Sequence, residues 1–148
     1  MPISRKEIRV LYVEDDEAIY ERWAAWFRAT YSERSDHVRS KHEAVALVME
    51  QRQAYNVAVV DLSILQFSEA TTSSDKHGLE LIDLIGDGVP CVMCSGSITP
   101  EIRRRAQKAR GYLEKPFRER QVMEVIEKVA KPVSRRARPQ ESLEDEWS

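Results

Sequence analysis

Apolar residues recur along the chain in two rhythms that alternate from end to end. Residues 8–13, 57–60 and 89–94 form short, β-branched and nearly continuous apolar runs. Such runs mark parallel strands covered on both faces. Residues 37–39 and 111–113 are weaker strand candidates, the first suited to a sheet edge. Between these runs the apolar positions fall at helical spacing. The first stripe is Ile19, Trp23, Trp26, Phe27 and Thr30, within a helix expected over about 16–31. A second helix, about 41–53, places Ala44, Leu47, Val48 and Gln51 on one face. Gly78 reads as the start of a third, with Leu81, Ile82 and Ile85 inward, ended by Gly86-Asp87-Gly88. Thr99-Pro100-Glu101 has the cap residue and first-turn proline of a helix start. That fourth helix carries Ile98, Ile102, Ala106 and Ala109. A fifth, about 118–130, shows Val122, Val125, Ile126 and Val129.

Five strand–helix units in strict alternation predict an α/β domain with a parallel sheet and helices on both faces. Right-handed crossovers reduce the topologies to a few, and the five-stranded one is the flavodoxin-like, doubly wound order 2-1-3-4-5. In such a sheet, side chains at the carboxyl ends of strands converge in one crevice, and strands 1 and 3 flank the switch point. Polar residues stand at those ends. Glu14-Asp15-Asp16 follows the first run, Asp61 the third, Ser95 the fourth, and Lys115-Pro116 the fifth. Carboxylates, a hydroxyl and a lysine gathered there point to a magnesium-dependent phosphate site and a signalling switch.

Composition narrows the picture. With 148 residues, 42% hydrophobic and 32% charged, the chain suits one soluble domain with a full core. A net charge of −2 gives no whole-chain reason to expect nucleic acid or a membrane surface as partner. No apolar run approaches the ~18 residues of a membrane span. The N-terminal stretch lacks the apolar core of a signal peptide, so a cytoplasmic location is expected. Cys91 and Cys94 read C-V-M-C. Residues three apart on a strand point to opposite faces, so these thiols are expected to diverge as buried core residues, not to form a redox or zinc pair. Residues 1–131 are read as the domain. Residues 132–148, with Arg135, Arg136 and Arg138 followed by Glu141, Glu144, Asp145 and Glu146, are read as a flexible tail.

Over about residues 6–130 the sequence resembles a bacterial response-regulator receiver domain. The resemblance lies in Leu11-Tyr12-Val13-Glu14-Asp15-Asp16-Glu17, Val59-Val60-Asp61-Leu62, Met93-Cys94-Ser95-Gly96 and Tyr112-Leu113-Glu114-Lys115-Pro116-Phe117. Four matches in the right order, each at an expected strand end, are far more specific than any one. The resemblance implies that Asp61 is the phosphoacceptor, a carboxylate nucleophile. It implies Mg²⁺ (or Mn²⁺) held by Asp15, Asp61, Glu14 and the backbone carbonyl of Ser63. Lys115 and Ser95 would contact the phosphoryl oxygens, and Ser95 with Tyr112 would form the switch. The implied partners are a sensor histidine kinase or histidine phosphotransfer protein and a downstream protein target, with a homodimer left open. On this reading the chain is a stand-alone regulator without a DNA-binding domain and catalyses only its own phosphorylation and dephosphorylation.

The sequence departs from the family pattern in three places. Gly78 is seventeen residues past Asp61, a longer stretch than the family's, and position 65 is leucine where the family has a proline. The polar segment 63–77 is therefore read as a mobile surface loop, with a lid or docking element as the alternative. His77 within it is read as a surface residue. The twenty residues from Ser95 to Lys115 are slightly few, so the fourth helix is expected to be short or displaced. Its basic run, Arg103-Arg104-Arg105 with Lys108 and Arg110, is a solvated face or a dock for an acidic partner. The many aromatics of the first helix are expected to leave some rings exposed. Two rival functions stand beside the regulator. One is a phosphorylation-independent scaffold. The other is an aspartate-nucleophile phosphatase, which needs a second acid two residues past the nucleophile, where this chain has Ser63.

Overall fold

The computed structural model describes residues 3–51 and 54–132. Among these residues, seven strands and five α-helices follow a short 3-10 turn at Arg5–Glu7. They are β1 (Val10–Val13), α1 (Glu17–Thr30), β2 (Asp36–Val38), α2 (Lys41–Gln51), β3 (Val57–Asp61), β4 (Ile64–Leu65), β5 (Ser73–Ser74), α3 (Asp75–Ile85), β6 (Cys91–Ser95), α4 (Pro100–Arg105), β7 (Ala109–Glu114) and α5 (Glu119–Val129). The main sheet is wholly parallel, in the order β2-β1-β3-β6-β7. With the small β4–β5 hairpin set aside, this is the expected 2-1-3-4-5 arrangement.

Strand alternation sorts the core into two layers. Leu11, Val13, Ala58, Val60, Cys91 and Met93 pack with Ala44, Leu81, Ile82, Ile85 and Ala106 from α2, α3 and the end of α4. Val10, Tyr12, Val57, Val59, Val92 and Cys94 face Trp23 and Phe27 of α1 and Val122 and Ile126 of α5. Cys91 and Cys94 therefore lie on opposite faces of the sheet, both buried and free. Burial pushes the Cys91 thiol up to about 12 and the Cys94 thiol upward as well, which suits inert core residues. No helix among the described residues is long and apolar enough to cross a membrane.

Several local expectations are corrected. The segment after Asp61 is not simply a polar loop. Ile64 and Leu65 are buried and pair antiparallel with Ser74 and Ser73. Leu65 also bridges Ser40 in parallel, and His42 N donates to Gln66 O at 3.0 Å. The insertion is thereby stitched to the start of α2. Gly78 does not open α3. The helix begins at Asp75, where the Ser74 side chain accepts from Lys76 N. Gly78 is instead a close-approach residue. Its N–H donates to Leu62 O at 3.0 Å, and an added Cβ would overlap the Leu62 backbone. His77 is half-buried, 3.8 Å from Glu80.

The fourth helix is indeed short, six residues ending at Arg105, and Ala109 belongs to β7 rather than to the helix. The aromatics of α1 are all buried or half-buried. Trp23 and Phe27 face the core, while Tyr20 stacks on His37 with ring centroids 3.7 Å apart. The tail lies beyond the described residues from position 133 onward.

Candidate functional site

β1 and β3 are neighbours in register, with Tyr12 opposite Val59 and Val13 opposite Val60, so the residues that follow each strand meet at one end of the sheet. Glu14 leaves β1 there, and Asp61 ends β3. Both are buried, at 1% and 6% exposure, although they carry carboxylates. A buried carboxylate is costly unless it is paired. The pairing cation arrives from β7. Lys115 Nζ lies 2.8 Å from Glu14 Oε1 and 3.0 Å from Asp61 Oδ2. Lys115 is positioned by its own N–H, which donates to Ser95 O at 2.8 Å.

Asp15 completes the acidic cluster. One carboxylate oxygen from each of Glu14, Asp15 and Asp61 lies within 4.8 Å of the others. An all-oxygen, anionic donor set of this kind suits a hard divalent cation such as Mg²⁺ or Mn²⁺. Asp16 is not part of it. Its side chain caps α1 by accepting from Ala18 N and Ile19 N.

The electrostatics reflect one cation among three acids. Burial and then the adjacent Asp61 push the Glu14 carboxyl up to about 7, against the opposing pull of Lys115. Asp15 is also held upward, by burial and then by Glu14. Burial alone would lower the Lys115 ammonium, but Asp61 and Glu14 outweigh it and hold the group above its ordinary value.

Three neighbours escaped the sequence reading. His37 on β2 donates from Nε2 to the Glu14 carbonyl at 2.9 Å, and burial lowers its pKa, which favours the neutral ring. Arg39 donates to the Asp15 carbonyl at 3.2 Å. Together they clamp the backbone that carries the two acids. Tyr12 lies one strand period below Glu14, on the same face. Its hydroxyl is buried with no partner at good hydrogen-bond geometry. Burial, then Glu14, Cys94 and Asp61, raise its pKa, and a weak contact with the Glu14 side chain adds to this. The signal for Tyr12 was available, since residues i and i+2 of a strand share a face. Contacts from β2 to a backbone carbonyl leave no such pattern in a sequence.

The remaining anticipated residues stand around this centre. Ser95 ends β6 beside Lys115, and its hydroxyl donates to Ser97 O at 3.1 Å. Ser63 lies two residues beyond Asp61, between β3 and β4. Tyr112 is farther out on β7, half-buried, with the Arg103 guanidinium 4.6 Å above its ring. A shallow groove of about 430 Å³ runs past Tyr112, Lys115, Gln121 and Val125.

The fold is that of response-regulator receiver domains. It superposes on the chemotaxis protein CheY4 of Vibrio cholerae with a TM-score of 0.66 and 21% identity, over 82% of this chain and 98% of that one. A CheY-like response regulator receiver domain from Methanospirillum hungatei gives 0.64 and 21%, over 82% and 91%. The N-terminal receiver domain of Klebsiella pneumoniae RstA gives 0.65 and 15%, over 84% and 99%. By sequence the chain matches no protein-family model and no curated protein.

Proposed function

We propose that this chain is a response regulator that accepts a phosphoryl group on Asp61 and signals by changing its protein contacts. The observation that carries the reading is the placement of Lys115 between Glu14 and Asp61, with Asp15 beside them. Phosphoryl transfer demands positioning and charge stabilisation above all, and these four side chains supply both. Glu14, Asp15 and Asp61, with the Ser63 carbonyl, would hold Mg²⁺ or Mn²⁺. The ion would neutralise charge on the phosphoryl oxygens.

The Asp61 carboxylate attacks the phosphorus of a phosphohistidine on a sensor kinase or phosphotransfer protein. A P–O bond forms, the P–N bond breaks, and the imidazole leaves. Lys115 stays as a fixed positive charge, and Ser95 turns its hydroxyl toward the new anion. The phosphoryl group adds about −1.5 to −2 of charge to a site already crowded with acids. Ser95 and Tyr112 then form the two-state element that reports this change to a downstream protein. On this reading the protein catalyses only its own phosphorylation and dephosphorylation.

Incubation with acetyl phosphate and Mg²⁺, followed by intact-mass measurement, tests the reading. Incorporation of one phosphoryl group per chain, released by hydroxylamine and absent in Asp61→Asn, is expected. No incorporation would favour a phosphorylation-independent scaffold. Sustained turnover of phosphomonoesters would favour a phosphatase.

A further inference from the structure

Four arginines of α4 and β7 have no acidic partner among the described residues. Arg103, Arg104 and Arg105 close α4, Arg110 is the second residue of β7, and all four are exposed. The neighbouring Lys108 differs, being paired with Asp87 at 2.9 Å and Asp83 at 3.7 Å. Arg103 also covers the Tyr112 ring. So dense an unopposed charge creates a local potential that attracts an acidic segment.

The chain carries such a segment. Glu141, Glu144, Asp145 and Glu146 are followed by Trp147, an aromatic face suited to guanidinium groups. We propose that residues 141–148 dock in cis on the edge formed by α4 and β7. Charge complementarity and reach both support this occupant.

The described chain ends beside β3. Lys131 N donates to Asn56 O at 3.1 Å, and Asn56 Nδ2 donates to Lys131 O at 2.7 Å. Asn56 immediately precedes β3. Ala58 of β3 aligns with Cys91 of β6, which aligns with Ala109, the neighbour of Arg110. Two strand spacings, about 10 Å, therefore separate the lines of β3 and β7. Glu141 lies nine residues past Pro132, a span of up to ~30 Å when extended. The linker reaches with slack. Arg135, Arg136 and Arg138 fall within this spacer, ahead of the acids. Tethering gives the segment a millimolar effective concentration, so weak ion pairs suffice to populate the docked state.

A docked segment would cover the Arg103–Tyr112 pair. Its competition with a downstream partner rests on the phosphorylation reading above, but the docking itself does not.

A paramagnetic label on Ser142→Cys in the full chain tests this, because Cys91 and Cys94 are buried and shielded from labelling. Amides of residues 103–112 are expected to broaden at low salt, independently of protein concentration. The broadening should vanish at about 1 M salt, where the Debye length falls to ~3 Å. It should also vanish in the Arg103→Glu/Arg104→Glu/Arg105→Glu variant. Should that variant fail to fold, Glu144→Lys/Asp145→Lys/Glu146→Lys supplies the same comparison from the tail side. Broadening that is absent, evenly spread, unchanged by charge reversal, or proportional to protein concentration would overturn docking in cis. Persistence of the docked signal in Asp61→Asn keeps this result separate from the phosphorylation test.

Discussion

Lys115 stands 2.8 Å from Glu14 and 3.0 Å from Asp61, so a single ammonium balances two buried carboxylates from different strands. Breaking a buried ion pair from one side leaves the partner charges uncompensated. Lys115→Met should therefore cost about 3 kcal/mol at pH 8 in the metal-free protein, the low end for a buried pair because Lys115 is partly exposed. The cost should shrink near pH 5, where Glu14, raised to about 7, takes up a proton. Phosphorylation by acetyl phosphate should slow by about 100-fold, as when a preorganised charge stabiliser is removed. Urea titrations at the two pH values, with labelling kinetics, measure both; an equal loss at both pH values would contradict the shared-cation account.

Glu14 sets a pH dependence of definite sign. Its carboxyl is raised from 4.5 to about 7 by burial and by Asp61. The folded, metal-free protein thus holds this proton more tightly than the unfolded chain. The associated stabilisation is present below about pH 4.5 and is lost as pH rises through about 7. Asp15 acts in the same direction. Mg²⁺ requires the ionised carboxylates, so its affinity should rise over the same window, with proton release on binding. Glu14→Gln should flatten the stability profile. Calorimetric Mg²⁺ titrations from pH 5.5 to 8 that give constant affinity would contradict this.

Gly78 is held against Leu62, the residue after Asp61, by a 3.0 Å hydrogen bond. Gly78→Ala forces Cβ into the Leu62 backbone. A loss of about 3 kcal/mol is expected, at the upper end for overpacking, because backbone rather than a flexible side chain must yield. Slower phosphorylation should accompany it, since the displaced backbone carries Asp61. A thermal shift under 1 °C would show that the α3 start can move away freely.

Tyr12 presents the opposite case. Its hydroxyl is buried with no partner at good hydrogen-bond geometry, an arrangement that costs about 1–3 kcal/mol. Tyr12→Phe deletes the unmatched donor while keeping the ring against Phe27, 5.0 Å away between centroids. Unfolding free energy should stay level or rise by about 1 kcal/mol. A clear loss would mean that the hydroxyl has a partner in solution.

Sheet order and acidic centre were legible from residues because they depend on two coarse signals: apolar runs and the polar residues that end them. Glu14, Asp61 and Lys115 meet because parallel strands bring their ends together, whatever the connecting lengths. The hairpin after Asp61 was not legible, because Ile64 and Leu65 offer only two apolar positions before a polar stretch, too short for either periodicity. Gly78 was misread because a glycine required by close approach looks like one that punctuates a helix. The end of α4 was misplaced because Ala106 is buried just past the helix while Ala109 is already part of the sheet. An apolar spacing alone does not distinguish these.

The hydrogen bond from Gly78 to Leu62 means that the chain leaves the main fold and returns to it at nearly one point. The hairpin formed by β4 and β5 is therefore anchored at its base, where Ile64 and Leu65 are buried. Its outer turn can grow, shrink or be exchanged without lengthening the path between Asp61 and α3. An insertion closed at its own base and fastened along one side to α2 is a replaceable appendage. The protein can diversify there while the geometry of its acids stays fixed.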